Sequence, residues 1–245
     1  MTLKGKIMPH PNLHKIAKGP VLRAAINLGN GALVQQTDGV LDGVSPRLAQ
    51  RLADVLGLPL EPVIYNGARK VFEDSGRDIW DVAFLAIDPT RAQSITFTRP
   101  YVLIEGTYAV RADSPLTEVA QADHPDHKIL VARGSAYDLY LKEALKHATI
   151  LRADSPSASV EMFYNSEATL VAGIRQSLES GFAGDDSVRI LPGRFKSIEQ
   201  AMALPQAHAP HHAALDQFVA EAIVEGFVRK ALDASGRANL SVPPQ

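Results

Sequence analysis

Short apolar runs of strand length follow one another along this chain, separated by helical stretches of roughly 10 to 15 residues. Strands are expected over 21–28, 60–65, 81–87, 129–132, 149–152, 170–174 and 188–191, with further extended pieces at 107–111 and 200–204. Helices are expected over 45–56, 70–74, 136–147, 157–164 and 215–234. A parallel neighbour is reached through a helical crossover, so this order specifies an α/β protein with a mostly parallel sheet.

Local chemistry marks the ends of these elements. Ser45 is expected as an N-cap with Pro46 at the first helical position, and Leu48, Ala49, Leu52, Ala53 and Leu56 follow at helical spacing. Gly57 is the expected C-cap, and Asp38-Gly39 a turn between two short extended pieces. Residues 1–20, with Pro9, Pro11 and Pro20, read as a loose tail. Twice a strand runs into a Gly/Ser-rich turn that opens a helix, at Arg133-Gly134-Ser135 and at Asp154-Ser155-Pro156-Ser157. Free N–H groups at such helix starts favour anions.

Composition narrows the function classes. The chain has 245 residues, enough for one large or two ordinary domains, and its 46% hydrophobic and 21% charged content is that of a soluble globular protein. A net charge of -2, with both signs interspersed, argues against a nucleic-acid or acidic-membrane partner. Without cysteine there is no disulfide framework, thiolate nucleophile or cysteine zinc site. No apolar run approaches the ~20 residues of a membrane span, so membrane insertion is not expected. The first twenty residues lack the apolar core of ~7–15 residues that a secretory signal needs.

One segment carries the clearest chemistry, WDVAFLAIDPTRAQSITFTRPY, from Trp80 to Tyr101. A buried strand leads into a turn at Pro89 and then to a lone arginine, Arg91. Just past the end of a buried α/β strand is where such folds bind small anions, and the guanidinium fork matches a carboxylate. Asp88 is expected to cap a helix that carries Arg91, in preference to contacting the ligand.

In order, LRAAIN, DGVLDGVSPRLAQRLADVLGL, the Trp80–Tyr101 segment, ILVARGSAYDLYL and EGFVRKAL resemble the amino-acid type of ABC-transporter solute-binding protein, solute-binding protein family 3. The likeness runs from about Val21 to Leu232. It implies the two-lobed periplasmic-binding-protein type II fold, an α/β architecture with the ligand cleft between the lobes. Lobe one is then about 1–103 plus 198–245 and lobe two 104–197, closing on the ligand by hinge motion. It also implies a monomer, a small carboxylate ligand, an ABC permease as partner and a periplasmic location. The lack of a signal peptide keeps a cytoplasmic location open.

The resemblance makes Arg91 the residue that holds the ligand carboxylate and Ser135 a second contact at a helix start, a role compatible with capping. Arg133 lies close by, as a second positive charge or a solvent-facing one. Asn27 and Asn30 follow the first strand and Asn66 the second, each either a ligand contact or a turn residue. The stretch before Arg91 is two residues shorter than the family pattern and reads Phe84-Leu85-Ala86-Ile87 where hydroxyl residues are usual. An apolar wall with polar contacts from the backbone is therefore expected. Where the family has a carboxylate for the ligand ammonium, this chain has Gly173-Ile174-Arg175. Arg91 plus Arg175 then suit an organic acid better than a standard amino acid, unless Glu161 or Glu167 supplies the charge.

Two histidine groups, His124 with His127 and His208 with His211 and His212, read as surface loops and not as a metal site. No cofactor motif and no catalytic motif is present, so binding without chemistry is expected. The alternatives are an enzyme on the same fold, such as a cyclohexadienyl-type dehydratase, and a cytosolic ligand sensor.

Overall fold

A computed structural model describes residues 12–244. The described strands build one mixed nine-stranded sheet plus a small hairpin. Strand β1 (Leu22–Asn27) leads, and the hairpin strands β2 (Gln35–Thr37) and β3 (Val40–Asp42) follow. Their turn has positive φ at both Asp38 and Gly39, the twist that a two-residue hairpin requires. Helix α1 (Val44–Leu56) buries Leu48, Ala49, Leu52 and Ala53 on one stripe. Each leucine buried this way contributes about 1.5–3 kcal/mol. Strand β4 (Leu60–Tyr65), helix α2 (Ala68–Glu73) and strand β5 (Val82–Ala86) complete the first block, in which β1 lies parallel to both β4 and β5.

Strand β6 (Ile95–Arg111) then runs for 17 residues. The second block contains β7 (Lys128–Ala132), α3 (Ala136–Ala144), β8 (Thr149–Ala153), α4 (Pro156–Asn165), β9 (Leu170–Ile174), α5 (Arg175–Gly181) and β10 (Val188–Ile190). Here β7 is parallel to β8 and β9. Strand β11 (Lys196–Pro205) returns antiparallel to both β5 and β6, and helices α6 (His212–Val224) and α7 (Phe227–Ala234) follow. The spatial order is β4-β1-β5-β11-β6-β9-β7-β8, with β10 on the far end of β6. Two α/β lobes are thus joined by β6 and β11, and the C-terminal ends of the parallel strands face the cleft between them.

Several expected elements are redrawn by tertiary structure. The chain stays in strand conformation through Pro100-Tyr101, because the pairing shifts register between Gln200 and Ala201 opposite Pro100, and such an irregularity tolerates a residue with no N–H. Tyr101 is fully buried and shares a 3.0 Å hydrogen bond with Ser45. Ser45 is therefore no N-cap. Gly43 precedes the helix instead. Helix α3 stops at Ala144, short of the expected His147, because the Asp123 carboxylate takes the backbone N–H groups of Lys146, His147 and Ala148 at 2.8–2.9 Å. The single closing helix is two, broken at Gly226. Helix α5 carries no clear periodic signal and was not expected. Of the expected loose tail, residues 1–11 lie outside the described residues, while Leu13 and Ile16 are buried against the core.

Candidate functional site

Three strand ends and one turn build the site. Asn27 closes β1, and its Oδ1 accepts the Gly29 N–H at 3.0 Å, folding the chain toward Asn30. Strand β5 brings Phe84, Leu85 and Ala86 to the cleft, and Arg91 sits in the short 3-10 turn beyond. The Asp88 carboxylate accepts the N–H groups of Thr90 (2.9 Å) and Arg91 (3.1 Å), so the expected cap is present, on this 3-10 turn and not on a longer helix. From the other lobe, β7 delivers Ala132, and the Gly134 turn positions Ser135 at the start of α3. The Ser135 Oγ accepts the Asp138 N–H at 3.1 Å.

Arg91 is 2% exposed and spans the cleft. Its Nη1 donates to the Ala86 carbonyl (3.1 Å) and its Nη2 to the Gly134 carbonyl across the gap (2.8 Å). Among the described residues it has no carboxylate ion-pair partner. Burial pulls its pKa down to about 10, with Asp88 opposing the shift, and the group stays charged at neutral pH.

Around this guanidinium lies an inner compartment of about 40 Å³. It shares Gly29, Tyr137, Pro156 and Ile174 as lining with an adjoining outer compartment of about 530 Å³. Arg91, Ser135, Asn27, Asn30 and Arg133 all line the inner space. Arg133 is at its exposed rim, 3.9 Å from Asp154. Asn66 is exposed and lines the outer space instead, with Ser157, Ser177 and Glu161.

Arg175 is not brought to Arg91, which corrects the expected arginine pair. Its Nε donates to Glu105 at 3.0 Å and its Nη2 to the Gly193 carbonyl, and it borders a separate hollow near residues 239–241. The strand end that faces Arg91 is Ile174, with Gly173 turned to the outer space. The missing acid is thus an apolar side chain. Glu167 is also remote, paired with Lys128.

Sequence reasoning overlooked several contributors to the wall, among them Ile104, Tyr137, Ile198 and Gln200. Gln200 had a signal, being a polar residue at the head of the apolar run Ala201–Leu204. It is buried, and its Oε1 accepts the Asn30 Nδ2–H at 3.2 Å.

The histidines need one correction. His208 is no surface residue: it is 3% exposed in a 3-10 segment, with Nδ1 unpartnered among the described residues. Among those residues, no group of three or more His, Cys, Asp or Glu side chains is placed to hold a metal ion. No described helix is long and apolar enough to cross a membrane.

Comparison with known proteins follows from this geometry. A mutant of ArgBP from T. maritima superposes with a TM-score of 0.79 at 16% identity, covering 92% of this chain and 99% of that one. A cysteine-binding protein from Campylobacter jejuni also gives 0.79, at 18% identity over 96% of each chain. At these identities the likeness establishes the fold. Among curated proteins, the virulence sensor protein BvgS of Bordetella pertussis is 28% identical over 159 residues, 64% of this chain. The matched part spans 13% of that much longer protein. The family profile of the bacterial extracellular solute-binding proteins, family 3, matches residues 31–233, most of the chain, and the chain belongs to that family.

Proposed function

We propose that this protein captures a small carboxylate in the cleft, with Arg91 as its anchor, and hands it to an ABC permease. The observation that carries the reading is a buried, charged guanidinium without a counter-ion among the described residues. Burying an unpaired charge is unfavourable, and a ligand carboxylate relieves it through paired N–H donors. Two of the five guanidinium donors are occupied by the carbonyls of Ala86 and Gly134, which leaves a donor edge for the ligand. Each hydrogen bond to the charged group contributes about 1.5–3 kcal/mol. Lobe one, about 1–103 plus 198–245, then closes against lobe two, 104–197, with Ser135 as a second contact.

Catalysis on the same fold is the weaker reading, since a dehydratase needs a general acid beside the substrate. The carboxyl at the inner compartment is Asp154, which is exposed at the rim beside Arg133. A sensory role is supported by the match to a virulence sensor protein and uses the same ligand capture. A partner protein retained only with ligand present would favour it over transport.

The test is a thermal-shift screen of organic and amino acids. A ligand at 100 times its Kd adds about 2.7 kcal/mol of stability. Arg91→Ala removes that shift. A shift that survives the substitution overturns the reading.

A further inference from the structure

We propose that the ligand is a short-chain 2-hydroxy acid and not an α-amino acid. The inference rests on the carboxylate reading of Arg91 and adds what the neighbouring group must be.

The decisive atom is the Asn30 Oδ1. Asn30 is 7% exposed and lines the same compartment as Arg91. Its Nδ2 is engaged by Gln200, while its Oδ1 is buried with no donor among the described residues. A buried acceptor left unmatched is unfavourable, so the site calls for one hydrogen-bond donor on the ligand.

Two observations make that donor neutral. The compartment's buried charge is the positive Arg91, Arg133 and Asp154 being exposed at its rim, and a ligand ammonium held beside Arg91 meets repulsion. The strand end that faces the space is Ile174, and the carboxylate that lines it among the described residues, Asp154, is solvent-exposed at the rim, 3.9 Å from Arg133. An ammonium needs a buried counter-charge, whereas a hydroxyl needs a single neutral acceptor. A monoanionic hydroxy acid also cancels the charge of Arg91. The inner space of about 40 Å³, walled by Phe84, Ile104 and Ile198, holds only a few heavy atoms, since one water needs ~10–15 Å³ of such space.

The test is calorimetric titration of the full chain with four probes of one skeleton: lactate (both enantiomers), pyruvate, propionate and alanine. One lactate enantiomer should bind about tenfold or more tightly than pyruvate or propionate, because these offer no donor to Asn30. Alanine should bind weakest. In Asn30→Ala, the preference for lactate over propionate should be lost, whatever the variant does to carboxylate binding as a whole. Asn30→Asp keeps the shape and supplies a negative charge, and should shift preference toward alanine. Arg91-dependent binding without a hydroxyl preference, or with alanine tightest in the native protein, overturns this proposal and leaves the carboxylate reading standing. Binding that does not depend on Arg91 overturns both.

Discussion

Gly134 is a point at which the two lobes touch beside the anchor, and Gly134→Ala tests that contact. Its φ is +67°, a conformation that disfavours any Cβ by about 1–2 kcal/mol. A Cβ there would also lie 2.9 Å from the Arg69 Cβ and 3.0 Å from its Cγ, on α2 of the opposite lobe. Ordinary carbon contacts begin near ~3.5 Å, so the lobes must part by about half an ångström. The Arg69 side chain has little room to yield, since its Nη1 is held to Glu73 at 2.7 Å. Parting stretches the 2.8 Å bond from Arg91 Nη2 to the Gly134 carbonyl. The combined effect should be about 2–3 kcal/mol, of which about 1 kcal/mol or more is specific to the closed form. Gly184→Ala is the control, because it has φ +79° with nothing within 4 Å of the added carbon. Urea unfolding and small-angle scattering on both variants separate the two terms. Both variants should lose stability, but Gly134→Ala should lose more and should scatter as a more open particle. Equal midpoints and equal radii of gyration for the two variants would refute the reasoning.

Two further outcomes follow from groups outside the cleft. His208 is held below the usual imidazole pKa by burial and by Lys18, with Asp81 opposing. Below pH about 6.5 the unfolded chain takes up a proton that the folded one resists, so stability should fall from pH 7 toward the depressed folded value. Carboxylates stay ionised across that window, and urea midpoints of His208→Gln should be flatter over it. Asp81 is fully buried and accepts the Arg23 backbone N–H (2.9 Å), its Nε (3.3 Å) and its Nη2 (2.7 Å). Asp81→Ala should destabilise by about 3 kcal/mol, tempered because Arg23 keeps Asp78, and a denaturation midpoint within error of the native one would contradict this.

The parallel strands, and the helices after β4, β7 and β8, were legible because their apolar runs are unbroken and their ends carry strong local chemistry. The expected turn at Asp154–Ser157 does open α4, one residue earlier than the expected start at Ser157, with the Ser155 Oγ accepting the Ala158 N–H at 3.1 Å. What stayed hidden depended on distant partners. Nothing near Pro100 announces that a register shift in β11, a hundred residues later, lets the strand continue through it. The early end of α3 is set by Asp123, which lies on a loop before β7. Within the site, Arg91 was visible from the strand-turn pattern around it. The position of Arg175 was not, because the residue after a strand end turns either into the cleft or away from it according to the helix it opens. The buried amide pair Asn30–Gln200 joins positions 170 residues apart, a separation no local pattern reports.

The placement of β11 has a consequence for how the chain comes into being. It lies between β5 and β6, yet it is formed by residues 196–205. During synthesis the edges of β5 and β6 therefore stay open until nearly the whole chain has emerged. Open edges recruit other strands, and pairings this distant in sequence form slowly. The nascent protein passes through a long interval with two apolar strands each open along one edge, and it gains from a chaperone or from late, concerted folding.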